Sequence, residues 1–356
     1  MKNMNNPTSK TFFTRSRIFW IIMGILGVLI LYTYLIRIPF KEKEIEKIWE
    51  NIGKEKVKIR QELKKKREEE IPNTAYIMVL GVAQDAGYPQ MNCKKECCAA
   101  AWGNAELQRT TSCLSIVDPT TNEQWIIDAT PNIKKQLQLL KSKTGTEKID
   151  GVLLTHAHMG HYTGLMHFGR EVMGTNGIPV FAMPKMAIFL EENGPWSQLV
   201  KLENISLQKL KSDSTINLNE NIKIKPFLVP HRDEFSETVG YEITINNKSL
   251  VFIPDIDKWE KWETDIVQLI QKVDYAFLDA TFYKNGELKR DMSEIPHPFV
   301  EESMDLFSEL SDADKQKVHF IHFNHTNPLL IEESSAQKEV FEKGFNLAKE
   351  GQVIRF

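Results

Sequence analysis

Residues 151–161 read GVLLTHAHMGH, and this stretch decides the fold that the sequence predicts. The apolar run over residues 151–154 is typical of a buried strand, and the amphipathic segment after the histidines is typical of a helix. His156, His158 and His161 therefore lie at a strand-to-helix turn. Because residues two apart in an extended chain point the same way, His156 and His158 can bind one ion while His161 faces a neighbouring position.

The concentration of histidines at this turn favours a metal site. Three of the nine histidines in the chain fall within six positions, and imidazole is a good ligand for borderline divalent ions such as zinc. His231, Asp255 and His322 each follow a strand-like apolar run, where side chains leave a sheet edge and can converge. The predicted ligands of the metal centre are His156, His158, His161, His231, Asp255 and His322.

The remaining pattern of apolar runs predicts layered sheets covered by helices, within one domain over residues 74–356. No internal repeat divides this part of the sequence. The predicted strands lie at residues 74–81, 114–117, 125–127, 152–154, 222–229, 239–245, 250–253, 275–278 and 318–323, and the predicted helices lie near residues 258–273 and 299–310.

The N-terminal part of the sequence predicts a membrane anchor. Residues 18–36 are uncharged and strongly apolar, which is typical of a helix that crosses the hydrocarbon core of a bilayer. A cleaved signal peptide is the alternative, but no small-residue cleavage site follows. The basic residues in the tail, residues 1–17, favour a single-pass protein with its globular domain on the non-cytoplasmic side. Residues 37–73, rich in Lys and Glu, predict a charged helical stalk.

Composition narrows the class of partner. The 356 residues include 45 basic and 48 acidic side chains, for a formal net charge of -3. This balance offers no global attraction for a phosphate backbone, so nucleic acid is not favoured. We expect a small-molecule substrate, with the membrane as the only other predicted partner.

The order of the candidate ligands resembles that of the metallo-β-lactamase superfamily. In that superfamily a strand-end Asp precedes the motif HxHxDH, which is followed by a His, an Asp and a final His. Asp128, residues 156–161, His231, Asp255 and His322 follow the same order. The resemblance implies a four-layer αββα sandwich.

Two shorter segments sharpen the resemblance, which covers residues 74–330. Residues 80–93, LGVAQDAGYPQMNC, and residues 326–328, TNP, are similar to the pyrroloquinoline quinone biosynthesis protein B branch. The chain is also similar to the cyclic-phosphate phosphodiesterase of the phosphonate pathway and to ribonuclease Z. Both of those families place a final metal-binding histidine at a strand end, which implies that role for His322.

A second cluster, Cys93, Cys97 and Cys98, also indicates a metal. A tetrahedral structural zinc needs four protein ligands. In the phosphodiesterase that the chain resembles, a histidine three positions after the last active-site histidine completes a three-cysteine zinc site, and His325 stands at that interval from His322. A disulfide is the alternative interpretation. Cys113 lies in an apolar run and is predicted to be a core residue.

One residue departs from the superfamily motif, because Gly160 stands where HxHxDH has Asp. Glycine can neither bind a metal nor act as a base. Two arrangements stay open. One holds a single ion on His156, His158, His231 and Asp255, and the other adds a second ion on His161, His322 and Asp255.

The leading functional hypothesis is a metal-dependent hydrolase, in which a metal-bound hydroxide attacks an ester or phosphodiester. Zinc is the expected ion, with one or two ions in the active site and one more at the cysteines. Asp255, His322 and Asp279 are the catalytic candidates. Asp279 resembles the second acidic strand end of the superfamily, which implies that it orients a metal-binding histidine.

Two other hypotheses stay open from sequence. Two histidines and a carboxylate also suit non-haem iron, so a quinone-biosynthesis-like oxygenase is the first. The second is a non-catalytic binding domain, because Gly160 lacks the motif's carboxylate. His297, between two prolines, is predicted to be a surface histidine of a loop.

Overall fold

The computed structural model describes residues 23–28, 47, 49–55 and 72–356. The chain divides into two units, Met1–Glu69 and Glu70–Phe356. In the first unit, residues 23–28 and 49–55 are helical and exposed. The predicted tail, residues 1–17, lies outside the described residues, as does much of the predicted stalk.

The prediction of a single-pass membrane protein is contradicted. No helix among the described residues is long and apolar enough to cross a membrane. Within the predicted anchor, residues 18–36, the described helix covers residues 23–28. The rest of that segment lies outside the described residues, and the predicted localisation is withdrawn.

Two seven-stranded sheets form the frame of the second unit. The strands are β1 Tyr76–Gly81, β2 Cys113–Asp118, β3 Glu123–Ile127, β4 Gly151–Leu153, β5 Ile178–Ala182, β6 Ile205–Lys209, β7 Ile216–Asn217, β8 Ile222–Leu228, β9 Val239–Ile245, β10 Lys248–Ile253, β11 Tyr275–Asp279, β12 Val318–Ile321, β13 Asn346–Leu347 and β14 Val353–Arg355. The first sheet has the order β14-β1-β2-β3-β4-β5-β6, and the second has the order β13-β12-β11-β10-β9-β8-β7.

Helices lie between the strands along the chain. The α-helices are α1 Glu96–Gly103, α2 Ile133–Thr144, α3 Met159–Tyr162, α4 Pro184–Glu192, α5 Trp196–Lys201, α6 Ile266–Lys272, α7 Val300–Leu306, α8 Asp312–Lys315 and α9 Ser335–Glu342. Four short 3-10 helices occur at Ala105–Leu107, Thr163–Phe168, Trp259–Lys261 and Pro328–Leu330.

Strands β1, β2 and β3 of the first sheet are buried on both faces because apolar residues point to both sides of them. Along β1, Ile77 and Val79 enter the core shared with the second sheet. Tyr76 and Met78 point the other way, into a core with α2, α4 and α5. Helices α6, α7 and α9 close the shared core from the side of the second sheet. The predicted α/β architecture of two sheets with covering helices is therefore confirmed.

The predicted helix over residues 258–273 is divided. It consists of the 3-10 helix Trp259–Lys261 and α6, which begins only after Asp265. The carboxylate of Asp265 accepts hydrogen bonds from the amides of Val267 and Gln268, as an N-cap residue does, so the helix starts there.

The strand directions bring the candidate residues to one edge. Strands β3 and β4 are parallel, and so are β10, β11 and β12. Strand β8 runs in the same direction as β10, because both are antiparallel to β9. The carboxyl ends of these strands therefore carry the candidate side chains to shared loops. These side chains are Asp128, His156, His231, Asp255, Asp279 and His322.

His319 lies in β12, outside the loops that carry the candidate site residues, and its burial should make the stability of the protein depend on pH. His319 is 8% exposed and stacks on Phe277, with 4.8 Å between ring centroids. Burial lowers its pKa from 6.5 to about 4. As pH falls, the imidazole of His319 therefore takes up a proton in the unfolded chain before it does so in the folded protein. The contribution of neutral, buried His319 to the free energy of unfolding is complete above pH 6.5 and is lost between pH 6.5 and about 4.

We expect His319→Phe to remove this dependence. Relative to the variant, the free energy of unfolding of the natural protein should fall by up to about 1.4 kcal/mol per pH unit across that window, or roughly 2–3 kcal/mol in total. Denaturant titrations of both proteins from pH 7 to pH 4 measure the difference, and metal loss affects both alike. A difference that stays constant with pH would contradict the expectation.

Candidate metal centre

Four side chains from three loops form a first group, here called site A. It consists of His156, His158, His231 and Asp255, whose ligand atoms lie within 4.8 Å of one another. His156 and His158 follow β4, His231 follows β8, and Asp255 follows β10. The structure thus brings together four residues that the sequence proposed as ligands.

The spacing in site A fits a tetrahedral ion. Oδ2 of Asp255 lies 3.4 Å from Nε2 of His156, 3.3 Å from Nε2 of His231 and 3.9 Å from Nδ1 of His158. Nε2 of His231 lies 3.2 Å from Nδ1 of His158. Zinc bonds of about 2.0–2.1 Å in a tetrahedron require ligand atoms roughly 3.3 Å apart. The residues therefore fit a divalent ion.

Each histidine in site A has a second ring nitrogen, which faces away from the other ligand atoms and has a hydrogen-bond partner. The Thr155 hydroxyl donates to Asp128, so it accepts from Nδ1–H of His156 at 3.0 Å. Nε2 of His158 lies 3.0 Å from Glu234, and Nδ1 of His231 lies 3.2 Å from Asp257. These contacts orient each ring so that its other nitrogen faces the shared space of site A, as metal binding requires.

Burial and neighbouring charges set the protonation of two ligands of site A. His156 is 1% exposed, and burial lowers its pKa well below the ordinary value, so its imidazole stays neutral. Asp255 is 2% exposed. Burial alone would raise its pKa, but His231 and His297 hold it well below the usual range, so Asp255 is a carboxylate.

Asp85, His161 and His322 form a second group, here called site B. The His161 and His156 rings are adjacent, with 4.2 Å between centroids, so the two sites are neighbours. Nδ1 of His161 donates to Asp128 at 2.7 Å. Nδ1 of His322 donates to the hydroxyl of Thr281 at 2.9 Å, because that hydroxyl itself donates to Asp279. Both histidines therefore direct Nε2 away from these partners and toward Asp85 in site B.

Two residues of this network have an unusual backbone. Asp128 has a φ of 70° and His322 a φ of 72°, a left-handed conformation that non-glycine residues seldom adopt. Such strain persists where the surrounding structure enforces it, and it clusters at functional sites. Here it turns the two side chains off the ends of β3 and β12 toward site B.

The structure corrects the interpretation of His297 as a surface residue. Its Nδ1 lies 2.9 Å from Oδ2 of Asp279 and 3.2 Å from Oδ1 of Asp255, and the residue is 5% exposed. Burial lowers the pKa of His297, but the two carboxylates outweigh it and raise the pKa to about 10. His297 therefore belongs to the wall of the site.

Asp279 has the position that an orienting residue requires. Its Oδ1 accepts from the amide and the hydroxyl of Thr281, and that hydroxyl contacts His322. Its Oδ2 accepts from the amide of Ile256 at 3.1 Å. Asp279 thus holds the loops that carry Asp255 and His322, and it forms a group with Asp255 and His297 whose ligand atoms lie within 4.8 Å of one another.

The cysteine cluster consists of Cys93, Cys97, Cys98 and His325. Sγ of Cys97 lies 3.8 Å from that of Cys93 and 4.0 Å from that of Cys98, and Nδ1 of His325 lies 3.6 and 3.3 Å from Cys97 and Cys98. Zinc–sulfur bonds of about 2.3 Å give edges of roughly 3.7 Å. The cysteines are free and not paired in a disulfide, so their thiols can bind a metal.

Sequence reasoning missed several residues of the centre. Asp85 lay within the quoted glycine-containing segment but was assigned no chemistry. Thr155, Glu234 and Thr281 were also missed, because a hydroxyl or carboxylate that contacts a ligand carries no local signal of that role. The positions of Asp128 and Asp279 at strand ends were the sequence signals of such support.

Comparison with known proteins places the chain in a family. The β-lactamase superfamily domain matches residues 124–323, and the chain belongs to this family. Among curated relatives, coenzyme PQQ synthesis protein B of Methylorubrum extorquens strain PA1 is 24% identical over 304 residues, covering 78% of this chain and 99% of that protein. The same protein of Acinetobacter baumannii strain ACICU is 27% identical over 310 residues, with 78% and 99% covered.

Solved structures share the fold. Zn²⁺-bound PqqB from Methylobacterium extorquens has a TM-score of 0.67 and 22% identity, and the match covers 79% of this chain and all of that one. A diphosphatase from the PhnP family has a TM-score of 0.56 and 21% identity, with 79% and 97% covered. The predicted resemblance to both branches is confirmed.

Proposed function

We propose that the protein is a metal-dependent hydrolase acting on a phosphodiester or ester of a small molecule. One observation carries the proposal. Every histidine of sites A and B commits one ring nitrogen to a hydroxyl or carboxylate and turns the other toward the other ligand atoms of its site. Core packing does not account for this arrangement, since packing alone would not make five ring nitrogens converge.

The residues of site A would hold the first ion through Nε2 of His156, Nδ1 of His158, Nε2 of His231 and Oδ2 of Asp255. A divalent ion there acts as a Lewis acid and lowers the pKa of water toward about 7. The protein's own contribution is to fix the geometry. Thr155, Asp257 and Glu234 orient the rings, and burial of His156 and His231 excludes bulk water from one side.

Two comparisons support the hydrolytic hypothesis. The chain belongs to the β-lactamase superfamily domain family, and a diphosphatase from the PhnP family shares its fold. The curated relatives, named for PQQ synthesis, favour the oxygenase as a second candidate. Site A also offers histidines with a carboxylate, a set that suits iron.

The experiment is an activity panel on the purified full-length chain loaded separately with zinc, manganese or ferrous iron. Substrates are bis(p-nitrophenyl) phosphate, a 2′,3′-cyclic nucleotide, p-nitrophenyl phosphate and p-nitrophenyl acetate. We expect turnover of a diester or ester that is lost on chelation and restored by metal. Metal-loaded protein that hydrolyses none of them would overturn the proposal, and metal-dependent oxygen uptake with iron would support the oxygenase.

His297 is expected to be needed for turnover rather than for metal binding. It donates to Asp279 and faces Asp255, so its loss should leave site A's ligands in place but relax the carboxylate and remove a proton-carrying group. We expect His297→Ala to lower kcat by about 100-fold, with metal content unchanged.

The conservative variant His297→Asn retains a donor near the place of Nδ1. Partial recovery of kcat by His297→Asn would indicate that His297 positions the carboxylates, whereas no recovery would indicate that its second nitrogen acts on the substrate. His167→Ala is the control, because the ring of His167 bonds to the carbonyl of Gly164 in its own turn and His167 belongs to neither site. An unchanged kcat in His297→Ala would contradict the expectation.

A further inference from the structure

Gly160 and Asp85 compete for the same space. A Cβ at position 160 would overlap Oδ1 and Cα of Asp85, and it would lie 3.0 Å from the Cβ of Asp85. The backbone of the Asp85 loop therefore sits against α3 only because residue 160 has no side chain. This close approach places the Asp85 carboxylate on the helix turn that carries His161.

The loop that carries Asp85 is fixed to the strand end that carries His322. The amide of Gln84 donates to the carbonyl of Phe323 at 2.8 Å, and the amide of Phe323 donates to Val82 at 2.8 Å. The hydroxyl of Thr111 donates to the carbonyl of Asp85 at 3.1 Å. Asp85 is thus held by hydrogen bonds on both sides, and its position relative to His322 is defined.

Three polar atoms then face one another in site B. Oδ1 of Asp85, Nε2 of His161 and Nε2 of His322 are buried and lack hydrogen bonds. They lie within 4.8 Å of one another, and Oδ1 of Asp85 is 3.3 Å from Nε2 of His161. Both histidines are fully buried, and leaving such groups unsatisfied costs about 1–3 kcal/mol each. A cation bound among them would satisfy all three.

We propose that Asp85 is the carboxylate ligand of a second divalent ion in site B, and that it replaces from another loop the Asp that the motif lacks at Gly160. The site is then dinuclear, with the ligand supplied by the turn after β1 instead of by α3. The proposal rests on the proposed function for the first ion in site A, but it concerns metal binding alone. The side chain of Asp85 is 25% exposed, which leaves the ion accessible from solvent.

Gly160 has a different role in the structure from the one that the sequence indicated. From sequence, its lack of a carboxylate cast doubt on the second ion. In the structure, the glycine instead makes room for a carboxylate from elsewhere, so Gly160→Asp should not improve the site. We expect that single variant to lower Tm, because the new side chain overlaps Asp85.

The test counts bound metal in the full-length chain after chelator treatment and dialysis against zinc. Site A, site B and the cysteine cluster should bind three equivalents in the natural protein. Asp85→Ala should bind two equivalents. Its affinity for the ion in site B should fall by more than the roughly 10–100-fold that is caused by loss of a residue that only contacts a ligand. Asp305→Ala is the matched control, since Asp305 on α7 is 75% exposed and outside all three groups.

The swap variant Asp85→Gly with Gly160→Asp moves the carboxylate back to α3 while freeing its space. Recovery of the third equivalent by the swap is the expected result. Retention of three equivalents by Asp85→Ala, or a swap variant that keeps site A and Tm but no third ion, would overturn the proposal. Absence of hydrolysis with an Asp85-dependent third ion would refute the proposed function and leave this inference standing.

Discussion

Replacement of His156 by alanine is expected to remove one metal equivalent and to lower hydrolytic activity at least about 1,000-fold. His156 supplies a fully buried Nε2 to site A, and its loss leaves Asp255 and His231 facing an incomplete tetrahedron. An ion that activates water contributes several kcal/mol to transition-state stabilisation, and each 1.4 kcal/mol is tenfold in rate.

The control for His156→Ala is His167→Ala, which should retain all metal and activity. Metal content is measured beside kcat/KM on the best substrate of the panel, so that a loss of folding is separated from a loss of the ion. Full activity in a His156→Ala protein that has lost its ion would place the chemistry elsewhere in the molecule.

Replacement of Cys98 by serine is expected to release the zinc of the cysteine cluster and to lower Tm by roughly 10 °C. Sγ of Cys98 lies 3.3 Å from Nδ1 of His325, and the two residues belong to segments far apart in sequence. A metal that joins them constrains the unfolded chain and stabilises the fold. Loss of such a site is among the largest mutational effects on the free energy of unfolding, about 4–5 kcal/mol. Each kcal/mol lowers Tm by roughly 2–4 °C.

Cys113→Ala is the matched control for Cys98→Ser. Cys113 is equally buried but lies in β2, where its Sγ contacts the carbonyl of Asp128. The control should lose some packing but no zinc. A Cys98→Ser protein with unchanged zinc content and Tm would show that the cluster is not a structural metal site.

The sequence predicted the part of the site that local patterns encode. The turn with His156 and His158 is readable because an apolar strand is followed by alternating imidazoles within a few positions. His231, Asp255 and His322 are readable because each ends an apolar run. The two-sheet fold follows from the same runs, since strands buried on both faces are continuous apolar segments.

The remainder depends on contacts between distant segments. Nothing near Asp85 indicates that it fills the space above Gly160, because that fit exists only after β1 and α3 pack together. His297 is flanked by prolines, which are typical of an exposed loop, yet Asp255 and Asp279 draw it into the site. Strand β6 was missed because it lies at the sheet edge, where exposed polar residues interrupt the apolar run.

The central claim is that site A binds a divalent ion through its four residues. Anomalous diffraction at the zinc edge, from crystals of the zinc-loaded full-length protein, tests it most directly. We expect a peak about 2.0–2.2 Å from Nε2 of His156, Nδ1 of His158, Nε2 of His231 and Oδ2 of Asp255. Zinc bound at the cysteine cluster with no peak among these four atoms would contradict the claim.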